Sequence, residues 1–326
     1  MEIFRSPIQL PPAWRGSVMA IGNFDGVHRG HRLVLSTARA VADGVDAPVG
    51  AMAFEPHPRT LMRPGDPPFR LTLYPERARL LRAAGVQLHV VLAFDQALLH
   101  MPPDAFIDQV LVDALGVRHV VVGHDFCFGH NRAGTVDTLT HSGADRGFGV
   151  TVVTKASDES GGVYASTAVR DLLRVGQMRA AADILGRPWE ISGVVQQGDQ
   201  RGRTLGYPTA NIALGDHLRP KLGVYAVRVG LCGPSDAAGV LAPDPDRWVD
   251  GVANLGIRPM YALSEPLLEA HLFGFSGDLY GRTVRVQMVE FLRGEAAFDG
   301  VEALVRQMDA DSAAAQAALA EPDGVA

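Results

Sequence analysis

The sequence predicts two domains of different class: a doubly wound α/β domain at the amino end, then a small antiparallel β-barrel with a terminal helix. Three observations carry this expectation. The chain has 326 residues, about twice the roughly 150 residues of one domain. Up to Leu185, short apolar runs alternate with helical stretches, the pattern of a parallel sheet covered by helices. Beyond Leu185-Gly186-Arg187-Pro188 the pattern changes to short β-like segments punctuated by Gly, Pro and Asp, as in a small barrel. The domains are therefore expected at 1–186 and 187–326.

In the first domain, Val18 to Ile21 reads as a buried strand. Arg32 to Ala42 reads as a helix, with Leu33, Leu35 and Ala38 among polar residues. Pro48 to Phe54 is a second strand, and in the following Glu55-Pro56-His57-Pro58-Arg59 two prolines impose an extended turn. Pro75 to Ala84 is a helix, with Pro at its start and Gly85 at its stop. Leu88 to Phe94 is a strand, and Pro102-Pro103 opens a helix running to Gly116. Val117 to Val122 and Val150 to Val153 are further strands. Ser166 begins a helix as its N-cap, Gly176 ends it, and Met178 to Leu185 forms one more.

In the second domain the strands are Trp189 to Gln197, Gly223 to Val229, Trp248 to Gly256, Leu267 to Phe273 and Thr283 to Phe291. The stretch 242–247 reads as a surface insertion. Val301 to Met308 starts the terminal helix, with Leu304, Val305 and Met308 on one face, and the Ala-rich stretch after Asp309 extends it.

Composition narrows the function classes. A net charge of −6 argues against broad nucleic-acid binding, which favours a basic patch. A hydrophobic content of 47% can fill two cores. Cys127 and Cys232 form neither a disulfide framework nor a zinc spacing, and point to a reducing compartment. Met1 to Trp14 lacks a basic segment followed by an apolar core. No run approaches the roughly 20 apolar residues of a membrane span. The expectation is a soluble, cytoplasmic protein.

The stretch Gly22-Asn23-Phe24-Asp25-Gly26-Val27-His28-Arg29-Gly30-His31 occupies a strand-to-helix turn. In an open α/β sheet such a turn lies at the carboxyl end of a strand, where ligands bind. Gly22, Gly26 and Gly30 allow positive φ and close approach of a ligand. The N-terminus of the new helix offers unpaired N–H groups to an anion. His28 and His31, three apart, share one face of a helical turn. Two imidazoles beside a phosphate-sized pocket suit charge on a phosphoryl group or on leaving pyrophosphate, although a structural or solvated histidine pair fits the same pattern. The spacing is neither that of the dinucleotide fingerprint nor that of a P-loop.

Other polar clusters follow other strands. His57 and Arg59 sit near the first motif if their strands are neighbours; otherwise they are exposed loop residues. Gly123-His124-Asp125-Phe126-Cys127-Phe128-Gly129 is a second strand-end cluster, with Asp125 its best functional candidate. Phe126 and Phe128 read as anchors of that loop in the core. Arg170 falls one turn into its helix, where a cation opposes the dipole unless an anion sits there.

In the second domain, Gly193-x-Val195-x-x-Gly198-x-x-x-Gly202-Arg203-x-x-Gly206-x-Pro208-Thr209-Ala210-Asn211 is a glycine-rich loop ending in a hydroxyl and an amide. Such glycines let backbone N–H groups surround phosphates. Thr209 and Asn211 supply hard oxygens suited to Mg²⁺. A Gly-rich hairpin connection is the alternative for any part of the set. Glu269 lies in an apolar strand, where pattern alone makes it a solvent-facing residue.

These motifs carry a resemblance. Gly22-x-Phe24-Asp25-Gly26-Val27-His28-x-Gly30-His31 resembles the H-x-G-H signature of the nucleotidylyltransferase superfamily, in the form found in bifunctional bacterial riboflavin kinase/FAD synthetases. The Pro208-Thr209-Ala210-Asn211 stretch is similar to the riboflavin kinase signature. The likeness continues through Gly223-Val224-Tyr225, Gly251-Val252-Ala253-Asn254-Leu255-Gly256, Glu269-Ala270-His271-Leu272, Asp278-Leu279-Tyr280-Gly281 and Arg293-Gly294-Glu295. It departs at Met260, where the family usually has Thr, and at Ala165, where it has Ser.

The resemblance implies a Rossmann-like nucleotidylyltransferase domain and a riboflavin kinase domain. Catalytic roles then fall to His28, His31 and Arg170 for adenylyl transfer, and to Glu269 as the base of the kinase. Nucleotide binding falls to Gly22, Phe24, Asp25, Gly26, Gly30, His57, Asp125, Ser166, Thr167, Gly202, Pro208 and Asn211. It assigns flavin binding to Phe126, Phe128 and Arg293, and Mg²⁺ to Thr209 and Asn211. ATP is the co-substrate, riboflavin and FMN are acceptors, and FAD is the product. No nucleic acid or membrane partner is implied, and any homo-oligomer would be weak or transient. Two other readings stand beside it: nucleotidylyl transfer to another acceptor with a barrel that only binds, and a flavin- or nucleotide-binding protein without turnover.

Overall fold

The computed structural model describes residues 1–6, 9–154, 164–197, 207–232, 244–257 and 266–321. The chain divides into two compact units, Met1–Asp66 with Arg77–Tyr164, and Pro67–Glu76 with Ala165–Ala326.

The first unit is built on six parallel strands: β1 (Glu2–Arg5), β2 (Val18–Ile21), β3 (Val49–Glu55), β4 (Leu88–Ala93), β5 (His119–Gly123) and β6 (Gly149–Val153). Their order is β1-β4-β3-β2-β5-β6. The chain steps outward from β2 through β3 to β4, then returns to the other side of β2 with β5 and β6. The reversal between β2 and β5 is a topological switch point, and the crevice outside the strand ends there is where such sheets take ligands.

Helices α1 (Arg29–Gly44), α2 (Pro58–Met62), α3 (Tyr74–Ala83), α4 (Gln96–Leu99), α5 (Pro103–Ala105) and α6 (Val136–Arg146) connect the strands. A π-helical turn, Phe106–Leu115, continues α5 and stops at Gly116 in the left-handed region. Met19, Ile21, Met52 and Val90 share one core cluster with Phe106, Ile107 and Leu111. Val18, Ala20, Ala51 and Val121 belong to another with Val34, Leu35 and Ala38 of α1. The central strands are thus buried on both faces, as their continuous apolar runs require.

Several local expectations need correction. Leu33 is 41% exposed, and Val34 takes its place on the buried face of α1. The stretch after β3 is not wholly extended: Pro58 starts α2 at a position where its missing N–H is harmless, and the His57 ring caps it by accepting from Arg59 N–H at 3.1 Å. The short edge strand β1 and the helix α6 carry too weak a pattern to be anticipated. Thr135 caps α6 through its hydroxyl.

In the second unit, α7 (Ser166–Val175) and α8 (Met178–Leu185) precede six strands: β7 (Trp189–Gln196), β8 (Ala210–Ala213), β9 (Gly223–Cys232), β10 (Pro245–Ile257), β11 (Pro266–Leu272) and β12 (Thr283–Arg293). They close into an antiparallel barrel in the order β10-β11-β8-β7-β12-β9. Alternation sets the interior: Leu268, Ala270 and Leu272 of β11 join Ile212, Leu255 and Val286 in its core. The sixth strand, β8, is only four residues long and escapes a periodicity reading. β10 begins at Pro245, so the tail of the expected surface insertion is already strand.

The terminal helix α9 (Val301–Ala320) packs Ala315 and Leu319 on Val224, Ala226 and Val289 of the barrel's outer side. Leu304, Val305 and Met308 are only partly buried; the buried positions are Asp311, Ala315 and Leu319. Asp311 is tolerated there because it accepts both forks of Arg293, at 2.8 and 2.6 Å. The segment 67–76 is bound into this unit. Trp189 Nε1–H donates to the Leu71 carbonyl, and His217 Nε2–H donates to buried Glu76 at 2.8 Å.

Candidate active sites

In the first unit the site forms at the switch point. The four residues of β2 are buried and deliver the chain to a tightly wound turn. Phe24, Gly26 and Val27 all have positive φ, at 50°, 86° and 42°. For a β-branched residue such as Val27 this is a costly conformation, of a kind that clusters at ligand sites. Of the three motif glycines only Gly26 uses the left-handed region. Gly30 is tight for space instead: a Cβ there would lie 3.1 Å from the His28 ring and from the Tyr164 carbonyl.

His28 is not inside the helix but caps it. Its Nδ1 accepts from His31 N–H at 3.3 Å, and the two rings stack with centroids 3.7 Å apart. An accepting Nδ1 leaves the His28 ring proton on Nε2. The edge of Phe24 packs against His31 at 5.3 Å. The result is a pair of stacked imidazoles at the positive end of a 16-residue helix.

The neighbouring strand ends supply the surroundings. β3 adjoins β2 directly, so His57, buried at the start of α2, lies on the adjacent loop. β5 flanks β2 on the other side and leads into exposed Asp125. Phe128 packs on Phe106 and Phe126 in the core, which fits its reading as an anchor. Arg77, absent from the motif reading, is fully buried on α3. It donates to Glu55 at 2.7 Å and to the Asn23 carbonyl at 3.4 Å, joining the loops after β2 and β3. No spacing in the sequence marks it; only the adjacency of the two strands does.

Ser166, Thr167 and Arg170 begin α7 in the second unit. Ala165, not Ser166, is the N-cap, and no side chain caps this end, so the expected Ser166 cap is corrected. Ser166 has moved to the first helical position, where its hydroxyl lies beyond the usual capping geometry. The buried Arg170 guanidinium donates to the Phe69 carbonyl at 2.9 Å and lies over the Phe69 ring.

The candidate residues of the barrel fall on two places, a polar row on its outer face and a cleft beside β8. β8 and β11 pair with Asn211 opposite Glu269, and β10 sets Asn254 opposite Glu269 on the other side. Gln196 of β7 pairs with Asn211 in turn. Because Leu268 and Ala270 point into the barrel core, this row of polar residues faces outward. Pro208 and Thr209, just before β8, line a cleft of about 260 Å³ together with Phe275, Asp278 and Tyr280; the core-facing Ala210 and Leu272 also line it, whereas Asn211 and Glu269 do not. Pro208 is held from β11: His271 Nδ1–H donates to its carbonyl at 2.9 Å. Arg293, on β12, engages Asp311 of α9. Gly202 lies outside the described residues, as do Gly198, Arg203, Gly206, Pro259 and Met260.

Among the described residues no group of three His, Cys, Asp or Glu side chains could hold a metal. The hydroxyl of Thr209 and the amide oxygen of Asn211 are hard, neutral donors. They fit Mg²⁺ that arrives with a nucleotide and keeps phosphate and water oxygens for the rest of its shell.

Comparison with known proteins identifies the family. The family model for FAD synthetase matches residues 10–168, and that for riboflavin kinase matches residues 185–319. A bifunctional riboflavin kinase/FMN adenylyltransferase of Pseudomonas fluorescens is 41% identical over 99% of both chains. The protein of the same description from Escherichia coli K12 is 38% identical over 92% of both. A solved Streptococcus pneumoniae structure, described as a macrolide-efflux protein, has the same fold with a TM-score of 0.82 at 28% identity, covering 95% of this chain and 97% of that one. Among the described residues no helix is long and apolar enough to cross a membrane. Matched nearly end to end, with its nucleotidylyltransferase-like sheet first and its closed barrel second, the chain belongs to the bifunctional riboflavin kinase/FMN adenylyltransferase family.

Proposed function

We propose that residues 187–326 phosphorylate riboflavin with ATP to give FMN and ADP, and that residues 1–186 adenylylate FMN with a second ATP to give FAD and pyrophosphate. The observation that carries this reading is the near end-to-end likeness to bifunctional relatives, with both signature geometries present in one chain.

In the kinase step the Glu269 carboxylate takes the proton of the primary hydroxyl on the ribityl chain. The freed oxygen attacks the γ-phosphorus and ADP leaves. Thr209 and Asn211 would hold Mg²⁺, which neutralises phosphate charge when bound. Pro208 borders the nucleotide, and Gly202 is assigned to it on the same sequence motif. Phosphoryl transfer needs mainly such positioning and neutralisation.

In the adenylyl step an FMN phosphate oxygen attacks the α-phosphorus and pyrophosphate leaves. His28, through Nε2–H, and His31 donate to the phosphate oxygens on which charge develops, assisted by the α1 N-terminus. Gly22, Phe24, Asp25, Gly26, Gly30, His57 and Asp125 surround the nucleotide. Ser166, Thr167 and Arg170 are assigned to ATP phosphates, and Phe126, Phe128 and Arg293 to flavin, on the family resemblance. A cytoplasmic location accords with the two free cysteines.

The test is incubation with riboflavin, ATP and Mg²⁺, followed by chromatography of the flavins. FMN should appear first and FAD later. His31→Ala should stop at FMN, and Glu269→Gln should block FMN yet still convert supplied FMN. Loss of the same step in both variants would overturn the division of labour.

A further inference from the structure

We propose that His271 is a positioning residue of the kinase site: it clamps the Pro208 carbonyl and so fixes Thr209 toward the nucleotide's divalent ion. This rests on the riboflavin kinase reading of the barrel and deepens it.

The ladder between β8 and β11 runs from Leu267 opposite Ala213 to Ala270 opposite Ala210, and ends there. The next two residues toward the amino end of β8 are Thr209 and Pro208. Pro208 has no N–H, so only its carbonyl can be tied down. His271, one residue past the last rung, supplies the tie with its side chain: Nδ1–H donates to the Pro208 carbonyl at 2.9 Å. The imidazole thus ties down the proline carbonyl where the β8/β11 ladder has already ended.

A second contact holds the other side. The Tyr207 ring packs on His271 with centroids 4.9 Å apart, and its hydroxyl donates to Asp309 of α9. Thr209 is therefore fixed between a clamped carbonyl and the ladder, where it lines the cleft with Asp278 and Tyr280. The same strand carries Glu269 two residues away on the same outward face. One strand then sets both the base and the segment that holds the phosphate-bound ion. Since an Nδ1–H can donate from either the neutral or the charged ring, the clamp works in both protonation states.

The experiment compares His271→Leu, which removes the donor, with His271→Asn, whose amide N–H stands near the Nδ1 position. Three measurements are made on the full chain. The first is the Mg²⁺ concentration giving half-maximal riboflavin phosphorylation. The second is metal-free amide exchange of peptides covering 207–211, and the third is conversion of supplied FMN to FAD. His271→Leu should raise the Mg²⁺ requirement about fivefold to tenfold, the size expected of one hydrogen bond, with a smaller fall in kcat. It should also speed exchange at 207–211 by about the same factor. His271→Asn should restore both to within about twofold, and FAD formation from FMN should be unchanged throughout.

An unchanged Mg²⁺ requirement in His271→Leu overturns the proposal, as does an Asn variant no better than the Leu variant. If His271→Leu fails to fold, His271→Ala, which also lacks the donor, takes its place: an Mg²⁺ requirement raised about fivefold supports the clamp and an unchanged one overturns it. Glu269→Gln separates this from the underlying reading. If that variant phosphorylates riboflavin normally, the kinase assignment itself fails. If it is inactive while His271→Leu behaves as wild type, only the role of His271 fails.

Discussion

Glu269 and Asn211 face each other across a single rung of the β8/β11 ladder, on the outward face of the barrel. The Cβ atoms of such a pair lie about 5 Å apart. Main-chain pairing alone thereby sets a carboxylate beside an amide on one face. Glu269→Gln keeps the shape and removes the proposed base. Riboflavin phosphorylation should fall by roughly 10²- to 10⁴-fold, the usual worth of a positioned general base. Conversion of supplied FMN to FAD should keep its wild-type rate, measured by the same chromatography.

The His28–His31 stack makes the complementary prediction for the first unit. His31→Ala removes one proposed donor to the developing phosphate charge and leaves the His28 cap without its stacked neighbour. FAD formation from FMN should fall by about 10²- to 10³-fold, the loss typical of one donor at a charge-stabilising site. FMN formation from riboflavin should be unaffected, so FMN should accumulate as the end product.

Gly30→Ala tests whether the turn's shape matters apart from its imidazoles. The new Cβ would come within 3.1 Å of both the His28 ring and the Tyr164 carbonyl. The ring must then tilt off His31 by a few tenths of an ångström or more. Small misplacements of catalytic groups are costly, so FAD formation should drop about 10- to 100-fold, with riboflavin phosphorylation intact. A variant as active as wild type would show that the stack tolerates movement.

What could be read from the sequence follows from how local each feature is. Val18 to Ile21 is apolar throughout and buried on both faces, so composition alone identifies the strand. The His28 and His31 pairing is written into a spacing of three, even though His28 proves to be the cap and not part of the helix. By contrast, β8 is four residues long, and only its partners on both sides make it a strand. Arg77 reaches Asn23 and Glu55 across 54 and 22 positions of sequence. No window can register a contact that exists only because β2 and β3 are neighbours. His271 lies two residues from Glu269 and shares its strand face, but no spacing in the sequence sets it against Pro208.

Stability in acid should depend on His89, which is fully buried on β4 and donates through Nδ1 to the Ala51 carbonyl at 3.1 Å. Burial pushes its pKa down to about 4; the Ala51 hydrogen bond opposes this and the charges of Arg77 and Arg5 add to it. In the unfolded chain histidine titrates near about 6.5. As pH falls below that value the unfolded state takes up the proton first, so the native state loses stability until the folded pKa is reached. A gap of some two units corresponds to roughly 3 kcal/mol, lost between about pH 6.5 and 4. Glu76 acts lower. Burial raises its carboxyl, but the His217 charge and the hydrogen bonds from His217, Ser192 and Leu73 outweigh that and hold it below its ordinary value. Its contribution is therefore present above about pH 4.3 and is lost only as pH falls further. His89→Asn keeps a donor for Ala51 without a titrating ring. Urea unfolding monitored by amide exchange in β3 and β4 should show wild type declining more steeply across that window than the variant, which retains His119, whose pKa burial also lowers. Parallel pH profiles for the two proteins would remove His89 as the cause.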